Sequence, residues 1–123
     1  MTKKYISTNI YNQIVELNNN KEFKDVISKY TKHLILTFFY FDECNYTYGI
    51  LDKLKKIRND NINNNVIFLK INLNNNDELI SEHDLTSCPI IHLYKKNELI
   101  KTILCTYDDM NSIINEEILK NIL

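Results

Sequence analysis

Apolar positions along this chain of 123 residues change their period several times. In KEFKDVISKY (21–30), Phe23, Val26, Ile27 and Tyr30 recur at i, i+3, i+4 and i+7, which makes one apolar stripe on a helix. HLILTFFYF (33–41) is continuously apolar and aromatic, the pattern of a strand covered on both faces. The helical period returns from about Asn45 to Arg58, with Ile50, Leu51, Leu54 and Ile57 on one side. Lys53, Lys55, Lys56 and Arg58 crowd its last turns, where positive charge complements the helix dipole. NVIFLKINL (65–73) reads as a second buried strand, and NDELISEHDL (76–85) as a short helix or turn. PIIHLYK (89–95), a Lys-Asn turn and ELIKTILC (98–105) form a hairpin. NQIVEL (12–17) is a short strand ahead of all these. YDDMNSIINEEILKNIL (107–123) closes the chain as an amphipathic helix. Its predicted inner face is Met110, Ile113, Ile114, Ile118 and Leu119, with Asp108 and Asp109 in the first turn.

Strand–helix alternation followed by a hairpin and a last helix predicts an α/β sandwich. Its mixed sheet should be parallel early and antiparallel late, with helices on both faces. The length suits one domain over 1–123, with 1–11 expected as a flexible N-terminal extension.

Composition narrows the function classes. Net charge is −1 and Arg58 is the only arginine, so neither a nucleic-acid partner nor an anionic membrane surface is expected. No apolar run reaches the length of a membrane span, and MTKKYISTNIYNQ lacks the apolar core of a secretory signal. Three cysteines without a signal point to a reducing, cytoplasmic setting; a transit peptide removed beforehand would change that reading. Asn-Asn-Asn tracts at 18–20, 63–65 and 74–76 fall between periodic segments, as loop residues do. Gly49, the only glycine, lies inside a predicted helix, where it costs about 1 kcal/mol relative to alanine. It serves either a close approach or no structural purpose. With one glycine, phosphate-cradling loops and nucleophile elbows are excluded. No Cys-x-x-Cys pair exists, so no metal site is expected, and His33, His83 and His92 read as surface or hydrogen-bonded histidines.

Candidate chemistry centres on Cys44, at the junction of the strand 33–41 with the following helix. Unpaired N–H groups and the dipole at a helix N-terminus lower a thiol's pKa, and a hydroxyl at Thr47, one turn on, could donate to a thiolate. Glu43 acts in the opposite sense, because a neighbouring negative charge opposes ionisation. Cys44 therefore stands open between a working nucleophile and an unreactive relic.

The element order, Cys44 after the second strand and the lone Pro89 opening the fourth together resemble the thioredoxin family, over about residues 12–121. FLKINLNNNDELISEHDLTSCPIIHLYKKNELIKTILCTYDDM (68–110) follows the family pattern without a gap. The resemblance implies a three-layer α/β/α sandwich, with a central mixed sheet of about five strands and four helices. It also implies a cis bond before Pro89, which would face the reactive cysteine. At the active site the family's aromatic-x-Glu-Trp-Cys-Gly-Pro-Cys becomes Tyr40-Phe41-Asp42-Glu43-Cys44-Asn45-Tyr46-Thr47. Thr47 replaces the second cysteine and Phe38 the buried acid that moves protons, while Lys70 keeps the nearby lysine.

By the same resemblance Cys88 and Cys105 converge on Cys44. Catalytic roles then fall to Cys44, Cys88 and Thr47, with Cys88, or less readily Cys105, as the resolving thiol. Substrate-binding positions fall to Pro89, Tyr46 and Cys105. No cofactor is expected. The implied partner is a protein or peptide thiol or disulfide client, with glutathione or a reductase as electron donor, and a monomer is expected. Two readings stand: weak or specialised monothiol-type thiol-disulfide exchange through Cys44, or a catalytically inactive interaction module that binds a polypeptide.

Overall fold

The structure, a computed structural model, describes residues 13–44, 47–61, 66–86, 89–105 and 110–121. Five strands and four helices follow one another as β1 (Ile14–Leu17), α1 (Asn20–Lys29), β2 (Leu34–Tyr40), α2 (Thr47–Asp60), β3 (Val66–Asn72), α3 (Asp77–Glu82), β4 (Ile90–Lys95), β5 (Glu98–Leu104) and α4 (Met110–Asn121). The sheet order is β1-β3-β2-β4-β5. β3 pairs in parallel with β1 and β2. β4 runs antiparallel to β2, and β5 antiparallel to β4. The expected change from parallel to antiparallel pairing thus falls at the β2–β4 boundary. Connection length accounts for the β4–β5 pair, which a tight turn joins and so makes antiparallel, while parallel neighbours need longer crossovers.

β2 lies inside the sheet and all seven of its residues are buried, as its unbroken apolar run requires. One face of the sheet presents Leu36, Phe38 and Tyr40 to α2 and α4, in a core with Leu54, Phe68, Ile91 and Ile114. The other presents Ile35 and Phe39 to α1, with Phe23, Val26, Ile67, Leu69 and Leu79. Phe23 meets Phe39 and Tyr94 edge-on at 5.5 and 5.3 Å. Phe23, Val26 and Ile27 of the predicted α1 stripe are buried, Tyr30 at its C-cap is partly buried, and Ile50, Leu51, Leu54 and Ile57 of α2 are buried. In α4 the buried stripe is Met110, Ile114 and Ile118, with Ile113 partly covered. Leu119, expected inside, is 66% exposed. A step of four residues keeps 110, 114 and 118 in line, and one further residue turns the side chain about a quarter-circle away. Asp108 and Asp109 lie outside the described residues.

Asparagine takes the turn positions that glycine fills elsewhere. Among the described residues four non-glycine positions have positive φ: Asn75 (62°), Asp84 (52°), Lys96 (54°) and Asn97 (62°). Lys96 and Asn97 are the two central residues of the hairpin turn, where positive φ at both matches the strand twist. Asn19 caps α1 by accepting from the Glu22 N–H at 2.9 Å, and Glu22 returns the bond by accepting from the Asn18 N–H at 2.7 Å. Asn20 then ties α1 to α3. Its Nδ2 donates to Glu78 and Glu82 at 3.1 Å each, and its Oδ1 lies 2.9 Å from His83 Nε2.

Candidate active site

The C-terminal end of β2 delivers the chain into a turn over Phe41, Asp42, Glu43 and Cys44. The Cys44 N–H donates to the Phe41 carbonyl at 3.1 Å, and the Phe41 N–H points back to Cys44 Sγ at 3.3 Å. A second loop, the one that leaves β3, holds this turn from the side. Asn74 Oδ1 accepts from the Asp42 N–H at 2.8 Å, and Asn72 Nδ2 donates to Asp42 Oδ1 at 2.7 Å. The Leu73 N–H donates to the Tyr40 carbonyl at 2.6 Å. Asn74, which read as a loop residue in the sequence, and Asn72, the last residue of β3, thus set the geometry in front of Cys44.

Cys44 is half-buried and disulfide-bonded. The Thr47 N–H donates to the Cys44 carbonyl at 3.4 Å, so the cysteine stands one turn ahead of α2. Thr47 is buried, and its Oγ1 has no hydrogen-bond partner among the described residues. Tyr46 and Cys88, both expected at the site, lie outside the described residues, as does the peptide bond that precedes Pro89. Pro89 itself is buried, and its carbonyl accepts from the Cys105 N–H at 3.4 Å. The fold therefore sets Cys105 beside Pro89. The Cys105 thiol, however, is free, buried in the core beneath α2 and α4, and pushed up to about 12 by that burial. A buried, protonated sulfur is a poor nucleophile and presents little to a substrate. The structure so removes the physical basis for Cys105 as a resolving thiol.

Phe38, at the position of the family's buried acid, is fully buried and stacks on Tyr40 at 5.4 Å and 17°. The polar groups on this face gather nearer its rim. Glu16 of β1 is the register partner of Lys70 on β3. The Tyr40 hydroxyl donates to Glu16 Oε2 at 3.2 Å. Burial, and then the Glu16 carboxylate, push the Tyr40 phenol up to about 12, so it remains a donor. Glu16, Tyr40, Asp42, Thr47, Tyr48, Leu51 and Lys70 line an open cavity of about 210 Å³. Sequence reasoning missed Glu16, although a lone acid in NQIVEL was the available signal.

Among the described residues no group of three or more His, Cys, Asp or Glu side chains is placed to hold a metal ion. None of their helices is long and apolar enough to cross a membrane.

A five-stranded mixed sheet between two pairs of helices, with a cysteine one turn ahead of α2, defines a thioredoxin-like α/β/α sandwich. The family model Thioredoxin matches residues 13–116, and the chain belongs to that family. Solved structures agree on the fold. Mitochondrial thioredoxin 3 from Saccharomyces cerevisiae, in its oxidized form, superposes with a TM-score of 0.74 at 22% identity, covering 89% of this chain and 97% of that one. Thioredoxin f2 from Chlamydomonas reinhardtii gives 0.76 at 23%, covering 85% and 96%. A thioredoxin variant from Halobacterium salinarum gives 0.78 at 17%, covering 94% and 96%. A comparison with curated proteins finds no match.

Proposed function

We propose that this protein carries out thiol-disulfide exchange with Cys44 as nucleophile and Cys88, rather than a cysteine three residues on, as the resolving thiol. One observation carries the reading: Cys44 is in a disulfide although the position three residues later is Thr47 and Cys105 is a free, buried thiol. Of the chain's three cysteines, this reading assigns the resolving role to Cys88.

In the reduced protein the Cys44 thiolate attacks one sulfur of a client disulfide. A Cys44–client bond forms, the client S–S bond breaks, and the electron pair leaves with the other client sulfur as a thiolate. Cys88, as thiolate, then attacks Cys44 Sγ and expels the second client sulfur. The client disulfide is reduced to two thiols while the protein's two thiols are oxidised to a disulfide. An external dithiol, or two equivalents of a monothiol such as glutathione, returns the protein to its reduced form. A reducing compartment such as the cytoplasm suits that cycle. Protein partners are in keeping with the family: a related thioredoxin f2 is solved in complex with ferredoxin:thioredoxin reductase. Another related structure concerns thiol resolution in a yeast mitochondrial 1-Cys peroxiredoxin through glutathione and thioredoxin systems.

A second reading, an interaction module without turnover, draws on fully buried Phe38 at the place of the family acid. The test compares wild type, Cys44→Ser and Cys88→Ser in reduction of a model peptide disulfide, with intact-mass detection of adducts. Exchange requires that Cys44→Ser abolish turnover and that Cys88→Ser accumulate a Cys44–peptide adduct. Equal rates in all three proteins, with client capture that survives Cys44→Ser, would favour the module.

A further inference from the structure

The cavity beside Thr47 has no part in the exchange steps above, yet its lining is chemically specific. Two carboxylates, Glu16 and Asp42, and one ammonium, Lys70, border the same space of about 210 Å³. At roughly 30 Å³ per water, that space holds about seven waters, enough for a ligand of amino-acid size. Glu16 and Lys70 are neighbours across β1 and β3, but Lys70 forms no ion pair among the described residues. Of the Glu16 carboxylate, Oε2 is taken by the Tyr40 hydroxyl, and Oε1 accepts no bond among the described residues. Thr47, at 5% exposure, adds a hydroxyl without a partner among the described residues. Leu51 and the Tyr40 and Tyr48 rings supply the apolar wall. A buried hydroxyl left unpaired costs about 1–3 kcal/mol, so a site of this kind favours an occupant that supplies the missing bond.

We propose that this cavity binds the α-ammonium-carboxylate head of a small amino-acid thiol. The ammonium sits between the Glu16 and Asp42 carboxylates, and the ligand carboxylate accepts from Lys70 and, after a rotation of its side chain, from the Thr47 hydroxyl. A cation alone would leave Lys70 opposing it, and an anion alone would meet two carboxylates. A zwitterion satisfies both signs at once. Position supplies the thiol half of the proposal, which rests on the exchange reading. Thr47 lines the cavity and donates its N–H to Cys44, so the wall begins one helical turn, about 5.4 Å, from the reactive residue. A thiol held by its head here is placed to attack, or to be released from, Cys44.

Probes with the sulfur blocked separate the head-group site from the exchange chemistry. S-methyl-L-cysteine, its N-acetyl derivative and 2-(methylthio)ethylamine are titrated into the full chain and followed by ¹H–¹⁵N NMR. The first carries both charges, the second lacks the ammonium and the third lacks the carboxylate. The expected result is saturable shifts at Thr47, Tyr48, Leu51 and Lys70, with S-methyl-L-cysteine at least tenfold tighter than either analogue. Lys70→Met should erase its advantage over the amine, and Glu16→Gln its advantage over the N-acetyl compound, with folding checked by urea denaturation. Equal binding of all three probes to wild type, or no saturable shift at those residues, overturns the proposal without reference to any variant. S-methylglutathione forms a further arm. Tighter binding than S-methyl-L-cysteine assigns the head group to a γ-glutamyl peptide, weaker binding assigns it to a free amino acid, and both support the site.

Discussion

Thr47 shows how one residue changes the chemistry without changing the fold. It occupies the first turn of α2, buried, with a hydroxyl that finds no partner among the described residues. A sulfur there would suit the burial better than an oxygen, because a thiol tolerates an apolar setting. The Thr47 N–H donates to the Cys44 carbonyl, so the two residues stand one backbone turn apart, close enough for a side chain at 47 to reach Cys44. Thr47→Cys should therefore fold with stability unchanged to within about 1 kcal/mol. It should shift the Cys44 disulfide to the introduced thiol, read by peptide mapping under mass spectrometry, and raise model-disulfide turnover at least tenfold. A variant that keeps the original pairing and rate would show that α2 does not present its first turn to Cys44. The threonine was plain in the sequence as a departure from the family pattern. Its orphaned hydroxyl was not, because hydrogen-bond satisfaction depends on which neighbours fold against it.

Elements were legible wherever one period ran for a full turn or more. The continuous run of β2 and the i, i+3, i+4 stripes of α1 and α2 each predicted the observed burial. Errors gathered at positions whose exposure is set by a neighbouring element, such as Leu119 on α4. Gly49 is the other open case, and the structure answers it. It lies exposed within α2, and a Cβ built on it would meet nothing within 4 Å among the described residues. No close approach depends on it, so only its backbone freedom matters. Gly49→Ala should stabilise the protein by about 1 kcal/mol. The check is a urea midpoint that rises at constant slope while exchange activity is unchanged.

Across the whole molecule, the two faces of the sheet divide structure from chemistry. The face under α1 and α3 is an aromatic core that holds a histidine. His92 is 3% exposed, its Nδ1 lies 3.2 Å from the Tyr94 hydroxyl, and its ring meets Phe39 edge-on at 5.1 Å. Burial, with a smaller push from His83, lowers its pKa from 6.5 to about 4. The unfolded chain takes up a proton near pH 6.5 while the folded chain resists until about pH 4. Stability is thus fully present above pH 6.5 and is lost as pH falls through that window. At about 1.4 kcal/mol per pH unit the loss approaches ~3 kcal/mol. His92→Gln keeps a hydrogen-bonding group for Tyr94 and removes the titration. Urea unfolding at pH 7.5 and pH 4 should show the variant losing less stability than wild type by most of that amount. Equal losses would show that His92 is not what the acid attacks.

The amino-acid sequence by itself determined the order and type of the elements, the alternation that makes the sheet mixed, and the place of Cys44 ahead of α2. These follow from local periodicity and from residue types read a few positions at a time. Only the tertiary structure decided that the Cys105 thiol is shut in the core, that Asn72 and Asn74 brace the Cys44 turn, and that Glu16, Tyr40, Thr47 and Lys70 share one cavity. Each of these is a relation between residues tens of positions apart. Burial, desolvation and hydrogen-bond satisfaction belong to such pairs and not to the residues taken singly.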